Sequence, residues 1–260
     1  MDIATEVEKN IERAYQLIKK SVSNGMLIDS LEVVRQVEDY RQFWKPKELK
    51  VALLAESHVY TDEKDFEIEC DRFTLHGIIP NYPLRFVRFV YCLGYGEDKL
   101  LTRKRAYMKN TGTPQYWKIF CSCVAENEDN LGFRRILSTK TPSFIKRLHN
   151  KVSVLQKMKD KGIWLLDASI IGLYGTGQKN RENFEKILEI SWKNHVSNLL
   201  TEVVPKHIIV IGKGVGDILH FNLQNLGVPF KVVPQPQARG TSEWQLENYK
   251  TYQRNCAKCC

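Results

Sequence analysis

Residues 50–60 read KVALLAESHVY, and this stretch decides the fold class. An unbroken apolar run, residues 51–55, leads directly into the polar triplet Glu56, Ser57 and His58. A strand that is apolar at every position is typical of a parallel sheet, because helices cover both of its faces. In such sheets the functional side chains gather at the carboxyl ends of the strands. The stretch therefore predicts a buried strand over residues 50–55 that ends at a polar site.

Other parts of the chain repeat this alternation of buried strands with helices. Further apolar runs predict strands at residues 162–168, 207–211 and 230–233. Apolar residues at helical spacing predict helices within residues 1–40 and over residues 183–200 and 218–226. The alternation predicts an α/β fold, a three-layer α/β/α sandwich around a central, mostly parallel four-stranded sheet. We expect one domain over residues 1–260, with a helical N-terminal extension (1–45) and a basic inserted lobe (61–150).

The positive charge of the chain is concentrated in one segment. The formal net charge is +9, and residues 99–151 hold 12 lysines and arginines against three acidic residues. The aromatic residues among these cations are Tyr107, Tyr116, Trp117, Phe120, Phe133 and Phe144. Cations mixed with aromatic rings suit a phosphate backbone with unstacked bases, so the segment predicts DNA contact, with Arg134 and Arg135 as candidates. The alternative is a solvated basic face over aromatic residues of the core.

Membrane insertion and export are not expected. No run of 18 apolar residues is present, so we expect no membrane span. The N-terminal residues MDIATEVEKN are acidic and lack the apolar region of a signal peptide. The seven cysteines have no regular framework, which fits a reducing, cytoplasmic location.

The spacing Cys256-x-x-Cys259-Cys260 is the cysteine pattern that suggests a metal. It supplies two ligands where a closed zinc site needs four, and nothing in the sequence shows that Cys121 and Cys123 meet it. We interpret the tail as a frayed end with free thiols, and we expect no metal.

Gly212, Gly214 and Gly216 follow a predicted strand and precede a predicted helix. Such a turn could hold a phosphate on backbone N–H groups. The spacing departs from the dinucleotide-binding fingerprint, whose third glycine falls one residue later, and no P-loop lysine–serine pair follows. We favour a tight strand-to-helix turn and keep a nucleotide-binding α/β enzyme as an alternative function.

Four segments, in order, resemble motifs of the uracil-DNA glycosylase superfamily across residues 50–245. Residues 50–60 resemble the strand that ends in the water-activating motif, written GQDPYH or GEAPG, and residues 164–168 resemble the strand that ends in the base-reading asparagine. Residues 206–213 resemble the third strand and its turn. Residues 233–239, VPQPQAR, resemble the HPSPLS loop beside the extruded base. The resemblance implies hydrolysis of the N-glycosidic bond of a flipped nucleotide.

The resemblance also implies which residues carry the reaction. Aligned on GQDPYH, the water-activating aspartate falls on Ser57, which we place among the candidate catalytic residues. A carboxylate is still needed to orient water or to stabilise an oxocarbenium-like sugar, so we expect Glu56 in this role first, followed by Asp62 or Asp65. His58 is a candidate contact to a phosphate or to the leaving base.

Two departures from the family motifs concern the base. The base-reading asparagine falls on Asp167, which accepts hydrogen bonds from the exocyclic amine of cytosine but cannot donate to uracil. The tyrosine that excludes groups on C5 falls on Val59, and a smaller residue admits a C5 substituent. The resemblance thus implies a 5-modified, for example glucosylated, cytosine of phage DNA and a role in antiviral defence. Phe73 is the expected stacking residue, with Tyr60 and Tyr82 as alternatives.

The remaining motif residues are expected to hold the opened DNA. The HPSPLS histidine falls on Val233, so Gln235 is the expected donor to the departing base. Gln237 takes the position of the intercalating leucine, and Arg239 and Lys213 are placed for phosphate or minor-groove contact. The cysteine pattern of iron–sulfur members of the superfamily is not met, so we expect no cluster and no other cofactor.

Two alternatives to a monomeric modified-cytosine glycosylase stay open within the resemblance. One is a uracil-DNA glycosylase of base excision repair. The other is a non-catalytic reader of modified or damaged DNA, because the aspartate and the histidine of the family motifs are both replaced.

Overall fold

The computed structural model describes residues 3–22, 25–105, 114–174 and 180–260. Tyr107, one of the aromatic residues of the basic segment, lies outside these ranges. The central sheet contains four parallel strands, β1 (Val51–Ala55), β2 (Ile163–Asp167), β3 (His207–Ile211) and β4 (Phe230–Val233). Their order in the sheet is β2-β1-β3-β4, and Ala55 pairs with Asp167 at the carboxyl end. The predicted α/β/α fold is confirmed.

The helices form two groups, and the members of each group contact one another. In chain order they are α1 (Ile3–Ser21), α2 (Leu31–Phe43), α3 (Glu63–Phe66), α4 (Arg72–His76), α5 (Tyr116–Val124), α6 (Phe144–Asp160), α7 (Arg181–Ser191), α8 (Ser197–Val203), α9 (Lys213–Ile218), α10 (His220–Asn225) and α11 (Ser242–Cys259). Helix α1 contacts α2 and α7, whereas α5 contacts α6 and α11. A π-helical turn, Trp192–Val196, joins α7 to α8. None of the helices in the described part of the chain is long and apolar enough to cross a bilayer.

The strand order creates a crevice at the carboxyl end of the sheet. From β1 the chain crosses to β2 on one side, and β3 then returns to the other side of β1. Where the direction of crossing reverses, the loops that follow neighbouring strands diverge and leave room for a ligand. The loops after β1 and β3 begin at Glu56 and Gly212, so the crevice opens beside the polar triplet.

The basic inserted segment shares the core of the sandwich. Trp117 and Phe120 are almost fully buried in the same hydrophobic cluster as the strands. Some of the segment's cations are also internal, because Arg147 and Lys151 bind Glu97 at 2.7 and 2.8 Å. These rings and cations therefore do not face a ligand, and for them the core interpretation is the correct one.

The C-terminal cysteines do not form a frayed tail. They belong to α11, which packs along α5, and Cys256 is buried with its thiol against that of Cys123. The last turn of the helix leaves Cys259 half-buried and Cys260 exposed. The expectation of a frayed end was wrong, because α11 continues to Cys259 and packs against α5.

The glycine-rich segment after β3 is helical from Lys213 onward rather than a loop. Gly216 lies so close to β4 that an added Cβ would be 2.7 Å from a methyl group of Val232. Close packing of the helix against the strand explains this glycine, and the segment makes the tight strand-to-helix connection that we favoured.

Candidate functional site

Three depressions surround the carboxyl end of the sheet. The largest, here named the central pocket, has a volume of about 740 Å³. Its lining includes Ser57, His58, Val59, Tyr60, Asp62, Arg88, Phe89, Tyr95, Tyr116, Asp167, Tyr174 and Gln237. A second, the basic depression, is lined by Glu56, Lys213, Gly214, Pro234, Gln235, Ala238, Arg239 and Trp244. A third, the side cavity, has a volume of about 240 Å³ and shares Glu56 and Gly214 with the basic depression.

Asp167 supplies a carboxylate to the wall of the central pocket. It is the last residue of β2, and the sheet register places it beside Ala55. Its Oδ2 accepts a hydrogen bond from Nη2 of Arg41 at 3.1 Å and lies 3.4 Å from Nδ1 of His58. No hydrogen bond within the described residues uses Oδ1 of Asp167. The carboxylate is thus held from behind by two basic side chains while the residue itself faces the pocket.

His58 lies between two carboxylates rather than facing a ligand. Its Nε2 is 3.2 Å from Oδ2 of Asp29, and its Nδ1 faces Asp167. Burial alone would lower the pKa of His58, but hydrogen bonds and charges from Asp167 and Asp29 outweigh it and raise the pKa to about 9. The imidazole side chain has no exposed surface, so its predicted contact to a phosphate or a base is not supported.

Asp29 anchors this arrangement from the segment that precedes α2. It accepts hydrogen bonds from the backbone N–H groups of Thr61, at 2.8 Å, and of Gly172. Sequence reasoning missed Asp29 and Arg41 because they lie in the N-terminal helical extension, far along the chain from the strand ends. Their charges sit beside apolar helical positions, and no spacing linked them to Asp167.

Glu56 lies at the boundary between the basic depression and the side cavity. Its Oε2 accepts a hydrogen bond from Nε2 of Gln235 at 2.8 Å, and the same nitrogen donates to the hydroxyl of Tyr174 at 2.7 Å. Gly212 allows this approach, because its φ is +114° and an added Cβ would lie 3.0 Å from Cγ of Gln235. Tyr174 also lines the central pocket, so it connects Glu56 to the pocket that holds Asp167.

The hydroxyl of Ser57 is occupied by the backbone. It donates to the carbonyl of His58 at 2.8 Å and accepts from the N–H of Leu173 at 3.0 Å. These bonds tie the loop after β1 to the loop after β2. The side chain thus shapes the pocket wall, and its catalytic role stays a prediction.

The two aspartates after the polar triplet have different positions. Asp62 caps α3 through the N–H of Asp65, at 2.8 Å, and lines the central pocket. Asp65 is fully buried and accepts two hydrogen bonds from Arg88, at 3.0 and 2.6 Å. Asp62 stays a candidate for chemistry in the pocket, whereas the ion pair with Arg88 removes Asp65 from it.

Several aromatic rings line the central pocket, and Phe73 is not among them. Phe73 lies on α4 and is 90% exposed, and the competitor Tyr82 is buried and donates to the carbonyl of Tyr91. The rings that do line the pocket are Tyr60, Phe89, Tyr95, Tyr116 and Tyr174. Of these, Tyr60 was predicted as an alternative stacking residue, and Tyr116 was named only as an aromatic residue of the basic segment. Nothing in the sequence around the other three rings indicated that they line a pocket.

Three of the residues expected to hold DNA share the basic depression. Lys213 and Arg239 are exposed on its wall, and Gln235 lies between them and Glu56. Gln237 is also exposed but lines the central pocket. The residues that sequence analysis assigned to holding the opened DNA around the loop after β4 therefore lie on neighbouring depressions.

Arg134 and Arg135 lie elsewhere. They end a short 3₁₀ turn, Phe133–Arg135, whose phenylalanine ring contacts that of Tyr249 on α11 at 5.1 Å between centroids. Arg135 also interacts with the thiol of Cys121. Neither arginine lines the central pocket or the basic depression, so the structure does not bring them to this site.

The described residues contain no group of histidine, cysteine, aspartate and glutamate side chains that could hold a metal ion. The chemistry available at the crevice is that of carboxylates, phenols and amides around an aromatic pocket, beside two exposed cations. Comparison with other proteins adds no assignment: no family model matches the chain, and a search of curated proteins found no match.

Proposed function

We propose that the protein is a DNA glycosylase that hydrolyses the N-glycosidic bond of a flipped, 5-modified cytosine and leaves an abasic site. The substrate class we infer is the hypermodified cytosine of phage DNA, including its glucosylated form, and the role is antiviral defence. In this proposal the protein acts as a monomer in the cytoplasm. The resemblance of four ordered motifs motivates the reaction.

One observation carries the proposal furthest: the motif residues converge at the crevice between β1 and β3. Asp167 lies in the wall of an aromatic pocket, and Glu56 is connected to that pocket through Gln235 and Tyr174. Enzymes that act on a base extrude it from the stack and hold it between aromatic side chains, with hydrogen bonds to its edge. The pocket volume of about 740 Å³ leaves room for a substituted pyrimidine.

The basic depression fits the backbone on either side of the flipped nucleotide. Lys213 and Arg239 present exposed cations on the same wall as Glu56. Phosphate contacts of this kind position DNA without reading its sequence. The sugar would then lie between the base in the central pocket and the phosphates in the basic depression. Glu56 lines the basic depression and is linked through Gln235 to Tyr174 in the wall of the central pocket.

The reaction needs a carboxylate at that position. In the proposed step the bond between the base and C1′ breaks with its electron pair leaving on the base. The oxygen of a water molecule bonds to C1′, and the water gives up a proton. Glu56 orients that water and accepts its proton, and its negative charge stabilises the cationic sugar of the transition state.

The test is release of a free base. Oligonucleotides that carry uracil, 5-hydroxymethylcytosine or glucosylated 5-hydroxymethylcytosine, and phage DNA, would be incubated with the protein. Alkaline cleavage detects the abasic site and mass spectrometry detects the base. We expect release from the modified cytosines and a loss of about 100-fold or more in Glu56→Gln, with DNA binding retained. Glu63→Gln, at an exposed carboxylate on α3, is the matched control.

The outcomes distinguish the related functions. Release of uracil alone would keep the enzyme class and replace the substrate with that of a repair glycosylase. A non-catalytic reader is the second candidate, and a specific observation favours it: the side chains of Ser57 and Asp65 are engaged in structural bonds, and Glu56 is bound by Gln235. Tight binding of modified DNA with no release in the wild type would establish this reader and contradict the glycosylase.

A further inference from the structure

A chain of buried ionisable side chains lies directly behind the central pocket. In order of contact it consists of Asp29, His58, Asp167, Arg41 and Glu38, and each residue is at most 5% exposed. Arg41 binds Glu38 as well as Asp167, and its guanidinium lies 5.4 Å from the ring centroid of Phe89, which lines the pocket. We name these five residues the buried ion chain.

Acidic and basic groups alternate along the buried ion chain, with Asp167 at the position that reaches the pocket. Its two neighbours, Arg41 and His58, both approach Oδ2. A carboxylate flanked at one oxygen by a guanidinium and an imidazole keeps one orientation, because turning it would break the hydrogen bond from Arg41 in a buried site. An ionised carboxylate accepts hydrogen bonds and cannot donate one.

We propose that Arg41 and His58 are positioning residues that set the specificity of the central pocket, because they fix the orientation of the Asp167 carboxylate, which acts as a hydrogen-bond acceptor. The pocket then selects bases that present an exocyclic amine where a uracil-type base presents a carbonyl oxygen. This inference rests on the proposed function for the identity of its ligand, a nucleobase. It adds two residues that contact no substrate and assigns the discrimination to them.

The placement of the ion chain argues against a purely structural role. Buried ion pairs stabilise a fold little compared with apolar residues of similar volume, since the desolvation of the charges offsets their attraction. A second buried cluster of the same kind, Glu97 with Arg147 and Lys151, lines none of the three depressions. The two clusters therefore provide a comparison between a buried arginine behind the pocket and one elsewhere.

The experiment uses two ligands that differ along one edge of the ring. Oligonucleotides with a single 5-hydroxymethylcytosine or a single 5-hydroxymethyluracil differ in the amine or carbonyl on C4, and with it in whether N3 accepts or donates a hydrogen bond. Binding by fluorescence anisotropy, with a 2′-fluoro sugar at the target to slow cleavage, gives the ratio of dissociation constants. Release from the unmodified sugars gives the ratio of kcat/KM. We expect the wild type to favour the cytosine by about tenfold or more in both ratios.

The variants are Arg41→Gln and His58→Gln, with Arg147→Gln as the matched control. Both pocket variants are expected to reduce the preference to about threefold or less while binding to the uracil-type ligand is kept. The control is expected to lose stability and to keep the wild-type ratio. Arg41→Lys, which retains the positive charge, is expected to restore part of the preference.

The outcomes separate this inference from the proposed function. Selective binding without base release would contradict the glycosylase and leave the inference standing. Release of both bases at equal rates would leave the glycosylase standing and overturn the inference. Preference that persists in Arg41→Gln and His58→Gln would also overturn it.

If Arg41→Gln and His58→Gln both fail to fold, the pH dependence of binding by the wild-type protein tests the inference. The charged groups that face His58 are Asp29 and Asp167, with Arg41 beyond Asp167, and Phe89 packs against the edge of the imidazole. Affinity for the 5-hydroxymethylcytosine oligonucleotide is expected to fall as pH rises through about 9, where His58 loses its proton. Constant affinity from pH 7 to above that range would overturn the inference.

Discussion

The hydroxyl of Ser57 illustrates, at the scale of one residue, how a side chain can resemble a catalytic group and yet serve the backbone. It bridges the carbonyl of His58 and the N–H of Leu173. Ser57→Ala would remove both of these buried hydrogen bonds, so we expect the free energy of unfolding to fall by about 1–3 kcal/mol. Urea denaturation measures the change.

A second serine provides the control for this substitution. Ser138 is exposed, and Ser138→Ala is expected to change the free energy of unfolding by less than about 0.5 kcal/mol. An Ser57→Ala protein with wild-type stability that fails to release the base would contradict the structural role and return Ser57 to the chemistry.

The ionisation of His58 gives the protein a pH-dependent stability. Its pKa is raised from 6.5 to about 9 by Asp167 and Asp29, despite burial. The native state therefore holds a proton that the unfolded state loses between these values. This contribution is fully present below about pH 6.5 and is lost as pH rises through about 9, a decrease of roughly 3 kcal/mol at most. Denaturation curves across this interval measure the slope.

His58→Gln removes the titrating group while keeping a polar side chain. The variant is expected to be less stable at pH 6 and to lose less stability than the wild type between pH 6.5 and 9. Parallel pH profiles for the two proteins would show that His58 is not protonated in the folded state.

Sequence reasoning selected residues that lie together in the structure where a side chain follows a strand end, and it misplaced residues whose position depends on tertiary packing. Glu56, Asp167 and Gln235 were identified because parallel strands bring their carboxyl ends together. Phe73 was chosen by its distance along the chain from the first motif, yet α4 turns it to solvent. Arg41 reaches Asp167 across 126 positions of sequence, which no local pattern records.

Helix α9 shows, at the scale of an element, that two glycines in one helix can respond in opposite ways to replacement by alanine. At Gly216 an added Cβ would be 2.7 and 2.9 Å from the two methyl groups of Val232, so Gly216→Ala is expected to destabilise the protein by about 1–3 kcal/mol. At Gly214 the nearest atom would be Cε1 of Phe184 at 3.6 Å, an ordinary contact. Gly214→Ala is expected to raise stability by up to about 1 kcal/mol.

Thermal denaturation of the two variants measures both stability changes. Each substitution gains the same helix propensity, so the difference between them reports the contacts of the added methyl group. Because Gly214 lines the basic depression and the side cavity, its methyl group is also expected to weaken DNA binding. Equal stability changes at the two positions would contradict the packing of α9 against β4.

Strand boundaries were predictable from short runs rich in apolar, β-branched residues. The strands predicted at residues 207–211 and 230–233 agree with β3 and β4. Helix α11 was missed because its sequence is mostly polar, and what holds it is the contact with α5. Burial of that kind is a property of the assembled fold rather than of the segment.

At the scale of the whole molecule, the chain carries a net charge of +9, but the cations that contact phosphates are expected to set how DNA binding responds to salt. Each phosphate contact contributes about 0.9 to the slope of log affinity against log salt concentration. The double variant Lys213→Gln/Arg239→Gln is therefore expected to reduce the slope by about 2 and to weaken binding. Anisotropy titrations at several salt concentrations measure both.

A double variant of equal charge provides the control. Lys157 and Lys193 are exposed on α6 and on the π-helical turn, away from the basic depression. Lys157→Gln/Lys193→Gln is expected to leave the slope close to that of the wild type. An equal decrease in both double variants would mean that binding depends on overall charge and would remove the basic depression from the proposal.

The α/β/α architecture could be predicted from sequence because the periods of strand and helix are local. The relation of residues 61–150 to the sheet could not, since their irregular segments carry little periodicity. Phe86, Phe89 and Phe120 from this part of the chain are buried in the common core. The inserted segment is therefore packed into the sandwich as well as extending from it.

In the buried ion chain, thermal stability and base recognition have opposing requirements. Replacing Glu38, Arg41 and Asp167 with apolar side chains of similar size would remove a desolvation penalty, so such variants are expected to melt later. A library screened only for survival at high temperature would therefore accumulate these changes early and lose its ability to tell an amine from a carbonyl. Engineering this protein for thermal stability would therefore require selection for base recognition in every round.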